Sequence, residues 1–260
     1  MSEFIKSSAY PWALTGVFAA LHLVVTLIPF SVTVGGTGLI SFGMVSATIV
    51  GFLLGPFFGV ISVLIGSYLA IFINFELAAI GFGTPIATAA GAFAAGLIRT
   101  RKTTLIPLLY VVTLALYLVS PMGLAVPELV WFHVIALLVS LLFVIPKAKD
   151  KLLSELEMDK AYTVRALFLL AIVCVTLDQL VGSTIASYYF VTFLGNTVEA
   201  ILPWYVGAVF VYPIERLIAS AVIVIVLGAV IESLSSSYFT LPTTPISSRT
   251  SLDLSEEETM

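Results

Sequence analysis

Apolar residues in this chain come in long unbroken runs, and that pattern fixes the solvent it can fold in. A hydrocarbon core of about 30 Å needs roughly 20 apolar residues per helix. Runs of this kind fall at roughly 11–30, 39–55, 57–74, 84–99, 104–120, 127–146, 164–195 and 203–233. They are continuous rather than alternating, so barrel strands are excluded and helices expected. Of the 260 residues, 60% are apolar and 10% charged, whereas a soluble domain carries about a quarter charged residues. The expectation is an all-α polytopic membrane protein: a bundle of six to eight transmembrane helices over residues 1–234, then a disordered acidic tail over 235–260. That tail is rich in Ser, Thr and Pro and ends in Asp253, Glu256, Glu257 and Glu258, a composition that cannot build a core.

Basic residues set the expected orientation. Lys6 precedes the first run, Arg99, Arg101 and Lys102 follow the fourth, and KAKDK with Lys160 and Arg165 separates the sixth from the seventh; Arg249 lies in the tail. With the N-terminus inside and eight crossings, all of these fall on the cytoplasmic side, as the positive-inside rule requires. The segments SVTVGGTG, NFELAAIGFG, SPMGLAVPE and GNTVEAILP on the other side hold no Lys or Arg. Both termini are therefore expected in the cytoplasm and the protein in the cell membrane, with lipid as its surroundings.

Several function classes lose their footing here. There is no basic patch of the size nucleic acid needs. The single cysteine, Cys174, cannot form an intrachain disulfide. The start MSEFIKSSAYPW lacks a signal peptide's cleavage pattern, so the first run reads as a retained span. Clustered His, Cys and Met ligands are lacking, which disfavours metal, and no cofactor motif occurs. With only His22 and His133, no H-E-x-x-H and no G-x-x-x-x-G-K-[ST], neither hydrolysis nor ATP binding is expected of this chain itself.

One basic residue breaks the pattern. Arg216 sits beside Glu215 inside the eighth run, and an ionised pair at membrane depth marks a functional interior by default. Asp178 and Gln179 lie roughly 21 Å along the seventh run, and Glu215 and Arg216 lie about 18–20 Å down the eighth from Pro203. An Asp178–Arg216 bridge would lock the two helices. The functional reading has Arg216, with Tyr212 and Ser220 on its face, holding an acidic or polar group of a substrate. Trp204, beside Tyr205 and facing Tyr188 and Tyr189, is an interfacial or stacking candidate, and Asn74 borders the second outer segment. His133, near the outer end of the sixth run beside Trp131, reads as interfacial.

The first run is two-faced. Ala9, Ala13, Gly16 and Ala20 form a smooth stripe that would let another helix approach closely. Thr15, His22 and Thr26 lie about 130° away on the helix. Gly55-Pro56 ends one helix and starts the next with almost no loop. These features together resemble one family: the stripe on helix 1, a Gly-containing outer segment after it, GPFFG between helices 2 and 3, and TPIATAAGAFAAGLIRTRK ending in a basic turn. The pattern resembles the substrate-binding S component of energy-coupling factor (ECF) transporters, most closely over 11–102. The family has six helices, so residues 104–146 either add a hairpin or include segments that do not cross.

The resemblance implies docking of Ala9, Ala13, Gly16 and Ala20 on a transmembrane T component. It also implies a pocket open to the outside under Ser31 to Gly38, and two cytoplasmic partner ATPases. The expected function is capture of a small, vitamin-like solute for ATP-driven uptake, not an enzymatic reaction, with Arg216, Glu215, Asp178, Tyr212, His22, Asn74 and Trp204 as candidate binding residues. The alternative is a stand-alone secondary carrier or channel with Asp178, Glu215 and Arg216 as an ion relay.

Overall fold

A computed structural model describes residues 9–28, 42–156 and 164–235. Lys6, Ser31 to Gly38, Lys160, Arg249 and the acidic tail after Ser235 lie outside the described residues. The elements are α1 (Ala9–Thr26), α2 (Gly43–Ile73), a 3-10 turn (Phe75–Leu77), a short extended segment (Ala79–Phe82), α3 (Thr84–Arg99) and α4 (Leu105–Leu118). Then come α5 (Pro121–Ala125), a 3-10 turn (Pro127–Val130), α6 (Trp131–Leu141), α7 (Pro146–Glu155), α8 (Val164–Ser187), a π-helical stretch (Tyr188–Phe193) and α9 (Val198–Ser235). The protein is an all-α helical bundle of membrane type. Five helices are long and apolar enough to cross a bilayer, or six if Pro127–Leu141 and the helix bent from it count as one span.

The 31-residue α2 is not one rod. Gly55 has φ 80° and ψ 179° and is followed by Pro56, a left-handed backbone that glycine adopts without steric cost. A Cβ placed on Gly59 would stand 2.8 Å from the Cα of Gly51. In a continuous helix those residues are about 12 Å apart, so residues 43–54 and 56–73 fold back on one another as a hairpin. The tight turn expected at Gly55-Pro56 is therefore present. The first half is buried along almost its whole length. At about 18 Å it is the shorter arm, against roughly 27 Å for 56–73.

Glycines bring the neighbours in. Gly51 meets the Ala92 backbone and Gly96 meets Gly55 and Pro56, so α3 lies on the hairpin at backbone contact. Helix α1 runs parallel to the second arm: the Trp12 ring meets Phe58 edge-on at 5.4 Å, Ser62 Oγ donates to Thr15 O at 3.1 Å, and Gly66 abuts Ala19 and His22. Helices α4 and α6 form a second hairpin, with Thr103 bonded to the Phe143 carbonyl at one end and Tyr117 to that of Val126 at the other. Tyr110 ties α4 to the Val173 carbonyl of α8 at 2.6 Å. The central layer is α8, whose residues 170–177 are all buried.

The apolar side chains that remain exposed lie on outer helix faces, for example Val206, Phe210, Ile214, Leu217 and Ile225 on α9 and Leu108, Val111 and Val112 on α4. In lipid this costs nothing, because acyl chains are as apolar as leucine.

One connection differs from expectation. The apolar run 127–146 ends its helix at Leu141, and KAKDK is not a loop but part of α7, bent 91° from the preceding segment. Lys147 and Lys151 are exposed while Leu152 and Leu153 are buried, the arrangement of a helix lying in an interface. Lys149 Nζ donates to the Arg101 carbonyl at 3.2 Å, and Arg165 pairs with Glu155. The described basic residues other than Arg216 thus gather at one end of the bundle, together with the Gly55-Pro56 turn. Helix α9 also starts five residues earlier than the apolar run, at Val198, and continues to Ser235.

Gly51→Ala is expected to lower the melting temperature of the detergent-purified protein, since the added methyl overlaps the Ala92 backbone and overpacking costs about 1–3 kcal/mol. Gly16→Ala should leave it unchanged, because a Cβ there meets nothing within 4 Å.

Candidate functional site

Arg216 is brought inward by the way α9 is built. Pro213 lacks an N–H, which frees the carbonyl four residues back. That carbonyl belongs to Val209, and the Trp131 indole Nε1 donates to it at 2.9 Å. The start of α6 is thereby held against α9 about two turns before Arg216. Tyr205 adds a second tie, donating to the Ser183 carbonyl of α8 at 2.8 Å. Ser220 Oγ closes the turn below by donating to Arg216 O at 2.7 Å. Arg216 is left 5% exposed and Glu215 1%.

The guanidinium finds only neutral partners. Nε donates to Gln179 Oε1 at 3.0 Å, Nη1 meets the Met44 thioether, and the Tyr212 ring lies 5.8 Å from Cζ. A guanidinium carries five N–H donors, and a thioether is a weak acceptor. Nη2 has no hydrogen-bond partner among the described residues. The expected Asp178–Arg216 bridge is replaced by Gln179, one position along α8. Asp178 and Gln179 are about 100° apart on the helix: Gln179 faces α9, while Asp178 faces α3, where a Cβ on Gly91 would stand 3.2 Å from its own. Asp178 stays within electrostatic reach of Arg216, is half-buried, and makes no hydrogen bond or ion pair among the described residues.

Bare polar atoms surround this point. Gln179 Nε2, Thr176 Oγ1 and His133 Nε2 are buried without a hydrogen-bond partner among the described residues. Thr176 is one turn before Gln179 on the same face of α8. His133 is 2% exposed and lies within electrostatic reach of Arg216, so its expected interfacial position is corrected to an interior one. Its Nδ1 faces the Leu129 carbonyl at 3.1 Å. A carbonyl only accepts, so Nδ1 carries the proton and Nε2 is a free acceptor. Buried polar atoms left bare cost about 1–3 kcal/mol each, and native interiors hold few of them. Three of them therefore stand near one buried cation.

The remaining candidates are spread more widely. Tyr212 lies at the guanidinium, and Glu215 is buried on the same helix within electrostatic reach of Tyr212. His22 belongs to a different cluster: Nδ1 meets Ser46 Oγ at 2.7 Å and Nε2 meets Ser67 Oγ at 2.8 Å, with Thr26 at 3.4 Å. Met44 and Ser46 are two residues apart and point to opposite sides of their helix, which puts the His22 cluster on the far side from Arg216. With both ring nitrogens engaged, His22 pins α1 to the two arms of α2. Asn74 caps the turn after α2, accepting from Glu76 N at 3.1 Å. Trp204 packs edge-on against Phe190 at 5.6 Å. Neither Asn74 nor Trp204 has a hydrogen bond to the Arg216 cluster.

On α1, Ala9, Ala13, Gly16 and Ala20 are exposed, and Thr15, His22 and Thr26 are buried. The residues that sequence reasoning left out of the site are Met44, His133, Thr176 and Gln179. Gln179 had a visible signal in its place beside Asp178; Met44 had none. Among the described residues there is no group of three His, Cys, Asp or Glu placed to hold a metal ion. No family model, curated protein or solved structure matches the chain, so the site is read from its own geometry.

Gln179→Leu removes the only oxygen bonded to the guanidinium among the described residues and is expected to destabilise the protein by about 1.5–3 kcal/mol, the range for a hydrogen bond to a charged group. Gln179→Glu should retain wild-type stability or raise it. Thermal unfolding in detergent reads both, and equal melting of the two variants would show that the Nε contact carries no energy.

Proposed function

We propose that the chain is the solute-capture subunit of an ECF-type uptake system in the cell membrane, with energy supplied by separate ATPases. The observation that carries this reading is the Arg216 cluster: a buried guanidinium bonded, among the described residues, only to an amide and a thioether, with Gln179 Nε2, His133 Nε2 and Thr176 Oγ1 left bare nearby. A receptor at rest keeps such donors and acceptors unspent, because a solute then gains them at little cost in rearrangement. Met44, in the first turn of the short arm 43–54, stands about 16 Å from the Gly55-Pro56 turn. The guanidinium therefore sits at the start of the arm 43–54, opposite the basic end.

The basic end is assigned to the cytoplasm by the positive-inside rule, with both termini on that side. On this reading each arm of α2, with α1, α3, α4, α6, α8 and α9, is one of eight passes, and the α4–α6 hairpin is an addition to a six-helix S component. The exposed stripe of Ala9, Ala13, Gly16 and Ala20 is proposed as the face for a transmembrane partner, which in turn would engage two ATPases. The solute is a small, vitamin-like molecule. An ion relay through Asp178, Glu215 and Arg216 has less support: Arg216 is bonded to Gln179 and Met44, neither of which hands on a proton.

Co-expression with a T component and two ATPases should yield a complex on purification, and uptake should require ATP hydrolysis. Uptake by this chain alone, unchanged without the ATPases, rejects the proposal. Arg216→Ala is expected to abolish solute binding while the complex still assembles. Gly16→Leu is expected to weaken assembly while the isolated chain still binds solute.

A further inference from the structure

We propose that the Arg216 cluster receives a dipolar solute, with a carboxylate or similar acceptor oxygen at Arg216 and Gln179 and an ammonium or N–H donor at Asp178. This rests on the solute-capture reading and narrows it to a chemical class. Opposite charges in one low-dielectric interior are stabilised by direct pairing, and each is costly when left unpaired. Arg216 and Asp178 are on neighbouring helices, yet no hydrogen bond or ion pair joins them. The guanidinium turns to Gln179 and Met44, and the carboxylate turns toward Gly91. Two opposite charges turned to different partners in this way are both available to a molecule that pairs with both.

The donors are arranged for an oxygen. Arg216 Nε locks the Gln179 carboxamide through Oε1 at 3.0 Å, so the bare Nε2 of the same amide is fixed beside the guanidinium. An acceptor placed there is read by Gln179 Nε2 and the guanidinium together, and the thioether of Met44 is a weak partner for Nη1 to exchange. Tyr212 already covers the guanidinium at 5.8 Å, which leaves the edge of the group for the ligand. An anion alone would gain Arg216 but meet Asp178, and a cation alone would gain Asp178 but meet Arg216. A solute carrying both signs meets neither repulsion. His133 Nε2, a bare acceptor, offers a second site for a donor group of the same molecule.

The test uses the purified full-length chain in detergent and a length series of ω-amino acids from glycine to 6-aminohexanoate. Matched n-alkanoates and n-alkylammonium ions of equal length serve as single-charge controls. The series samples the charge separation, so no prior spacing is assumed. At millimolar concentration at least one ω-amino acid is expected to raise the melting temperature by roughly 2–4 °C, the shift for about tenfold-or-less changes in folding equilibrium in a chain of this size. Its two single-charge counterparts should raise it by less than half as much. Asp178→Asn should remove the preference for the amino acid over the alkanoate, and Arg216→Gln should remove both responses. If Arg216→Gln does not fold, the isosteric Asp178→Asn decides the matter. No shift from any ω-amino acid, an equal shift from a single-charge control, or an unchanged preference in Asp178→Asn overturns the dipolar assignment. An ATPase-dependent complex that persists while the series fails rejects this inference alone, whereas absence of that complex rejects the capture reading.

Discussion

Helices in a bilayer gain nothing by hiding apolar side chains from lipid, so this bundle depends on close backbone approach and on polar ties between helices. Gly51 against Ala92, Gly59 against Gly51 and Gly96 against Pro56 bring three segments to distances that any side chain would prevent. The turn at Gly55, with φ 80°, makes the approach of Gly59 to Gly51 geometrically possible by folding α2 back on itself. Polar ties then fix register. His22 joins α1 to both arms of α2, Tyr110 and Tyr205 join α4 and α9 to α8, and Trp131 occupies the carbonyl that Pro213 leaves free. Because the hydrocarbon offers no alternative partner, each of these bonds has few competitors.

Against that background the Arg216 region is an exception. Most buried polar groups in the bundle are paired, as at His22, Ser62 and Thr103. Around Arg216 an amide nitrogen, an imidazole nitrogen and a hydroxyl are bare, and the cation itself is bonded to a thioether and a carboxamide. A purely structural arginine would have been matched by Asp178, which is near enough to feel its charge. Placing Gln179 at the contact instead leaves both charges available.

Much of the bundle was legible in the chain itself. Continuous apolar runs place the helices, because length and hydropathy alone decide what can cross a hydrocarbon layer. Gly55-Pro56 marks the hairpin because few other dipeptides tolerate that backbone. The two faces of α1 followed from the 3.6-residue period, with Ala9, Ala13, Gly16 and Ala20 outward and Thr15, His22 and Thr26 inward. Arg216 stood out because a cation in an apolar run must be paired or hydrated. The sequence did not reveal α7 as a bent interfacial helix, since a polar ten-residue segment reads equally as a loop until its two leucines are seen packed against the bundle.

What only the tertiary structure decided is which neighbour each polar residue faces. Asp178 and Gln179 are adjacent in the chain, yet about 100° of helix rotation sends one toward α3 and the other to Arg216. His22 and Arg216 both lie in apolar runs, yet Met44 and Ser46 point to opposite sides of one helix and keep the two clusters apart. Met44 comes from a helix far away in the chain and carries no polar signal at all. Hydropathy is a property of each segment and survives in the linear sequence. The rotation of a helix about its axis is set by its packing against all the others, and so the membrane class and the odd arginine were written in the chain, while its partners were chosen only when the helices met.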